Sequence, residues 1–164
     1  MKQIFSTKWD VALCTGLYLG LCPFAPGTMG AIGGTVLWLI LDNFLSYWWL
    51  QLILVLLIIC VTLLSIPSIQ RIEKDWGEDP SKVVIDEIVG VWIALLAVPA
   101  TDNYLLKIGA ALCAFILFRI FDIFKPLGIR SLEKVPKGWG VMLDDILAGF
   151  YSYIVLLGIS FMFF

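Results

Sequence analysis

Apolar runs separated by short polar clusters dominate the chain. They lie at about residues 11–22, 31–41, 44–69, 83–100, 104–124 and 141–164, and the longest reach the ~20 residues that a helix needs to cross a bilayer. Alternation at period two is absent, which argues against a membrane β-barrel. The pattern predicts an all-α membrane protein, a bundle of about five transmembrane helices forming one domain over residues 1–164. Residues 11–22 are too few to span and are expected to form a short N-terminal interfacial or re-entrant helix.

The polar residues fall at the ends of the runs. Thr28 opens the first crossing, Asp86 and Glu87 open the third, Arg119, Asp122 and Lys125 close the fourth, and Asp144 and Asp145 open the fifth. Lysine and arginine fix the orientation. Arg71, Lys74 and Lys82 lie between residues 70 and 82 and five basic residues lie from Arg119 to Lys137, whereas residues 42–50 hold none. Excess positive charge marks the cytoplasmic side, so all four clusters are expected in one layer at that face. Trp48, Trp49 and Tyr104 then belong to the opposite boundary, as interfacial aromatics.

Composition narrows the chemistry. With 61% hydrophobic residues and a mean hydropathy of +0.98, the chain is too apolar for a soluble domain, and a net charge of −2 argues against nucleic acid. The absence of histidine excludes histidine phosphatases, Ser-His-Asp hydrolases and histidine-ligated zinc. Four cysteines without CxxC spacing read as buried small hydrophobes. Lys2, Lys8 and the run to Cys22 imitate a lipoprotein leader, but Leu21 is too large for that processing site and the segment is expected to be retained. Cys113 and Arg119 have the Cys-x5-Arg spacing of cysteine phosphatases; the five bulky residues between them predict a helix and not a phosphate-cradling loop.

Within the clusters, spacing carries the chemistry. Asp86 and Gly90 share a helix face, so the glycine leaves room beside the acid for a ligand or a neighbouring backbone. Residues 84–90 echo residues 142–149: apolar pair, acidic pair, apolar pair, small residue. Arg119, Asp122 and Lys125 give an apolar helix one wet face that ends at Pro126. Pro26-Gly27-Thr28 is a turn into a helix start, with Thr28 able to cap and backbone amides suited to an anion. Hard oxygen acids without soft ligands indicate Mg²⁺ or a similar ion shared with substrate phosphate, and so metal-assisted phosphoryl chemistry.

Four motifs in order, Pro26-Gly27-Thr28-x-Gly30, Asp86-Glu87-x-x-Gly90, Arg119-x-x-Asp122-x-x-Lys125-Pro126, and Gly138-x-Gly140 followed by Asp144-Asp145-x-x-Ala148-Gly149, resemble the bacterial phosphatidylglycerophosphatase A family. The resemblance runs from about residue 10 to 155. It implies a Mg²⁺-dependent phosphatase of the bacterial inner membrane that removes the terminal phosphate of phosphatidylglycerophosphate. On this reading Asp86, Glu87, Asp144 and Asp145 hold the metal, with Asp86 and Asp145 also counted as catalytic. Asp122 is a further ligand or the base that activates water, and Arg119, Lys125, Thr28 and Gly27 contact substrate. Attack by water and attack by an aspartate are both compatible with these residues. Two rivals remain: a cation-coupled transporter, which would place its acids nearer the midplane, and a CDP-alcohol phosphotransferase, whose Asp-Gly signature is missing.

Overall fold

The computed structural model describes residues 5–78, 80–132, 135 and 138–163. Lys2, and Lys134 and Lys137 of the basic run, lie outside them. Seven helices follow in order: α1 (Lys8–Cys14), α2 (Pro26–Phe44), α3 (Tyr47–Trp76), α4 (Ile85–Leu95), α5 (Tyr104–Phe124), α6 (Ile129–Leu132) and α7 (Trp139–Phe163), with a 3₁₀ turn at Leu19–Leu21. No strand occurs among the described residues. The surface carries large apolar side chains along its length, among them Leu56, Ile59, Leu63 and Ile116, each at least half exposed. A continuous apolar exterior of this kind is suited to lipid and not to water. Trp48, Trp49 and Tyr104 are exposed together with it, at the N-terminal ends of α3 and α5.

Among the described residues three helices, α3, α5 and α7, are long and apolar enough to cross a membrane. The five full crossings expected from the sequence are therefore more than the helix lengths establish. The two not established are the first, on the 19-residue α2, and the apolar run 83–100, whose helix α4 has only 11 residues. At a rise of about 1.5 Å per residue it is about 16 Å long, half of a ~30 Å hydrocarbon core. Its hydrophobicity has another cause. Nine of its residues are buried, because α7 and α2 pack on it from two sides; it is the central post of the bundle. Trp92 fixes it by donating its Nε1–H to the Gly34 carbonyl at 3.0 Å.

Glycines set how closely the helices approach this post. A Cβ on Gly30 would stand 2.9 Å from the Val84 carbonyl oxygen, and one on Gly34 2.8 Å from Val91 Cγ1. On α7, a Cβ at Gly149 would strike the Gly90 carbonyl, and one at Gly90 would lie 2.8 Å from the Asp145 carbonyl. The two echoing segments thus meet through their small residues, backbone against backbone. In each helix the acids precede the glycine by three to five residues, so α4 and α7 leave this crossing with their acidic ends side by side.

The N-terminal run is not one helix. It breaks after α1, with Gly16, Leu17 and Tyr18 at positive φ, and folds back onto α3, whose 30 residues extend past the hydrocarbon core. Asp10, 3% exposed, accepts from Arg71 Nε at 3.0 Å and Nη2 at 2.5 Å and from the Thr7 N–H and hydroxyl, each at 2.8 Å. The Arg71 guanidinium holds the Asp10 carboxyl well below the usual carboxylate range, against the opposing effect of burial. Because this carboxyl titrates lower folded than unfolded, its stabilisation is complete above about pH 4 and is lost as pH falls toward the folded value. Asp10→Asn should melt below wild type at neutral pH, and the gap should close in acid. Melting curves that stay parallel across pH would contradict the pairing.

Candidate active site

The site lies where the N-terminal ends of α2, α4 and α7 meet the C-terminal end of α5. Their polar residues line a cavity of about 390 Å³: Gly27 and Thr28 from α2, Asp86 and Glu87 from α4, Arg119 and Asp122 from α5 with Lys125 at its cap, and Asp144 and Asp145 from α7. The structure brings together all nine residues singled out in the sequence. Residues 11–22 line no part of this cavity.

Local geometry explains each placement. α2 begins with Pro26 at its first position, preceded by Ala25 in the left-handed region. Thr28 is therefore inside the first turn and does not cap the helix, contrary to the sequence expectation; proline at the helix start takes a position whose N–H would be unpaired in any case. Gly27 has a steric reason to be glycine, since a Cβ there would strike Glu87 Oε1 and stand 3.5 Å from Arg119 Nη1. α5 stops at Phe124, and Lys125 turns out in the left-handed conformation just before Pro126. Asp86 is buried in the first turn of α4, where the helix dipole favours negative charge, and Asp144 and Asp145 are buried in the second turn of α7.

The charges divide into two groups. Arg119 Nη1 donates to Asp122 Oδ2 and Lys125 Nζ to Asp144 Oδ2, both at 2.5 Å. Asp86, Glu87 and Asp145 form no ion pair with a described residue, and each offers one carboxylate oxygen within 4.8 Å of the others. Asp86 Oδ1 and Glu87 Oε2 are buried without a hydrogen-bond partner among the described residues, as are Asp144 Oδ1 and Arg119 Nε. Carboxylates this close repel by about 4 kcal/mol per pair even at an effective dielectric near 20, and buried charges persist only when paired or metal-bound. Three converging oxygens with orphaned neighbours are a donor set that fits a hard divalent cation. Asp144, grouped with the metal ligands on sequence, is held by Lys125 and stands outside the trio.

One feature is missing from the sequence picture, and one follows it. Ser81, in the loop before α4, also lines the cavity; one serine in a polar loop carries no signal of such a role. Cys113 to Arg119 lie on the continuous helix α5, which spends their backbone amides internally and leaves no phosphate cradle.

Fold and site define a helical membrane protein with an acidic and basic cavity at one end of its bundle. The profile of the family Phosphatidylglycerophosphatase A matches residues 12–160, and the chain belongs to that family. It is 40% identical to Phosphatidylglycerophosphatase A of Haemophilus influenzae, over 91% of this chain and 87% of the relative. It is 37% identical to Phosphatidylglycerophosphatase A of Escherichia coli, over 90% and 80%. A Bacteroides thetaiotaomicron protein that bears the name "Putative phosphatidylinositol-3-phosphatase" is 47% identical over 89% of this chain and 90% of its own length. No solved structure matches the chain.

Proposed function

We propose that this protein is a Mg²⁺-dependent lipid phosphatase that hydrolyses the terminal phosphomonoester of phosphatidylglycerophosphate at the cytoplasmic face of the inner membrane. The observation that carries the reading is the trio of buried Asp86 and Asp145 with half-buried Glu87, without an ion-pair partner among the described residues and converging beside two cations. Membership of the phosphatidylglycerophosphatase A family supports the substrate. The run of Arg71, Lys74 and Lys82 between residues 70 and 82, and of basic residues from Arg119 to Lys137, against none at residues 42–50, supports the cytoplasmic assignment.

Asp86, Glu87 and Asp145 would hold the ion. What it supplies when bound is charge neutralisation on the phosphate and a lowered pKa for water. The chain's own residues do the rest. Arg119 Nε, a buried donor without a partner among the described residues, and the Lys125 ammonium bind phosphate oxygens and stabilise charge that grows on them. Asp122, fixed by Arg119 and outside the trio, takes the proton of the attacking water. The water oxygen bonds to phosphorus, the bond from phosphorus to the glycerol oxygen breaks, and the leaving alkoxide takes up the proton that Asp122 accepted. Gly27 keeps the entrance beside Glu87 open.

The name of the Bacteroides relative favours a second headgroup, a phosphoinositide monoester. The cavity chemistry serves either, since both substrates present a terminal phosphomonoester on a lipid. Purified protein in detergent, given each lipid separately with Mg²⁺, distinguishes them by phosphate release. We expect kcat/KM for phosphatidylglycerophosphate to exceed that for phosphatidylinositol 3-phosphate by at least about tenfold, equivalent to about 1.4 kcal/mol. A reversed ratio would assign the enzyme to phosphoinositides.

A further inference from the structure

An apolar groove lies on the neighbouring face of α4. It encloses about 460 Å³ between the N-terminal segment on one side and α2 and α4 on the other. Leu13, Leu17 and Leu19 form the first wall; Leu37, Ile40 and Ile88 contribute to the second. Every residue lining it is apolar or glycine. Small residues keep it open: a Cβ on Gly33 would strike the Leu19 side chain, and one on Gly16 would stand 2.6 Å from Ile88 Cδ1.

Groove and catalytic cavity share two helices. α2 gives its first turn to the cavity and residues 33–40 to the groove, while α4 gives Asp86 and Glu87 to the one and Ile85 and Ile88 to the other. The groove therefore starts beside the phosphate site and runs away from it along α2, about 10 Å from Gly33 to Ile40 at helical rise. Phosphate and acyl chain of a lipid are disposed in the same order. The N-terminal wall is held at both ends, by the Asp10–Arg71 pair and by the Val84 N–H, which donates to the Cys14 carbonyl at 2.8 Å just before α4 begins.

We propose that this groove takes one acyl chain of the lipid substrate, and that the segment from α1 to the 3₁₀ turn aligns the lipid over the carboxylates. The proposal rests on the lipid-phosphatase reading above. A chain entering the groove leaves one apolar surrounding for another, so little hydrophobic transfer energy is gained. The return is orientation: the headgroup is held in register with the site, which acts on kcat.

The test compares dioleoyl phosphatidylglycerophosphate with its deacylated, water-soluble headgroup, using the full chain in detergent with Mg²⁺. Leu37→Trp and Ile40→Trp obstruct the groove at positions already 40% and 49% exposed, where an indole is accommodated. Each should lower kcat on the diacyl lipid about tenfold and leave turnover of the deacylated headgroup unchanged. An equal fall on both substrates, or no fall on either, would overturn the proposal. With wild-type protein alone, kcat should climb as the acyl chains lengthen and then level off; a flat series would also overturn it. Failure of wild type to release phosphate from either substrate would overturn the activity itself, and the groove assignment with it.

Discussion

Asp145→Asn is expected to abolish phosphate release, to at least about 10³-fold below wild type, and to leave the protein folded. Asp145 is 3% exposed and completes the trio with Asp86 and Glu87. Asparagine keeps its shape and removes its charge, so the loss is confined to electrostatics and cation binding. The effect on stability separates this account from a structural role. Without a cation the three carboxylates repel one another, and deleting one charge relieves them; in EDTA the variant should melt at or above wild type. Added Mg²⁺ should raise the melting temperature of wild type, since a ligand bound only by the folded state stabilises it, and should barely move the variant. A variant that melts well below wild type in EDTA would make Asp145 a structural residue.

Gly149→Ala should cost about 2 kcal/mol or more and about a hundredfold in activity. The added methyl would strike the Gly90 carbonyl oxygen and stand 3.1 Å from its Cα and carbonyl carbon, all backbone atoms that no rotamer change can move. α4 and α7 must separate, and Asp145 moves away from Asp86 and Glu87 with them. Gly158→Ala, on the same helix with open space around the position, is the control and should be neutral or slightly stabilising, because alanine is the better helix former. Equal behaviour of the two variants would remove the glycine crossing from the account.

Much of this site is legible in the sequence because charged residues inside apolar runs are costly and must be used. That cost points to Asp86, Glu87, Arg119, Asp122, Lys125, Asp144 and Asp145 without coordinates, and Pro126 marks where α5 ends. The echo of 84–90 in 142–149 reads as two acidic pairs facing each other, and the contact of Gly90 with Gly149 gives it a physical basis. Other features need the third dimension. Hydropathy cannot distinguish a run buried by neighbouring helices from one facing lipid, so α4 reads as a crossing although it has 11 residues. Adjacent residues on a helix point about 100° apart, so Asp144 turns to Lys125 while Asp145 turns to the trio. Thr28 reads as a cap because threonine often is one; Pro26 starts the helix earlier. The groove beneath the N-terminal segment combines residues far apart in the chain and leaves no local pattern.

On the proposed function, Asp86, Glu87 and Asp145 bind a hard divalent cation on which phosphomonoester hydrolysis depends. The most direct measurement is phosphate release from phosphatidylglycerophosphate by the purified protein after exhaustive chelation, followed by titration with Mg²⁺. No release above background is expected in EDTA, with full, saturable recovery on adding Mg²⁺. Undiminished release in the chelated protein would contradict it.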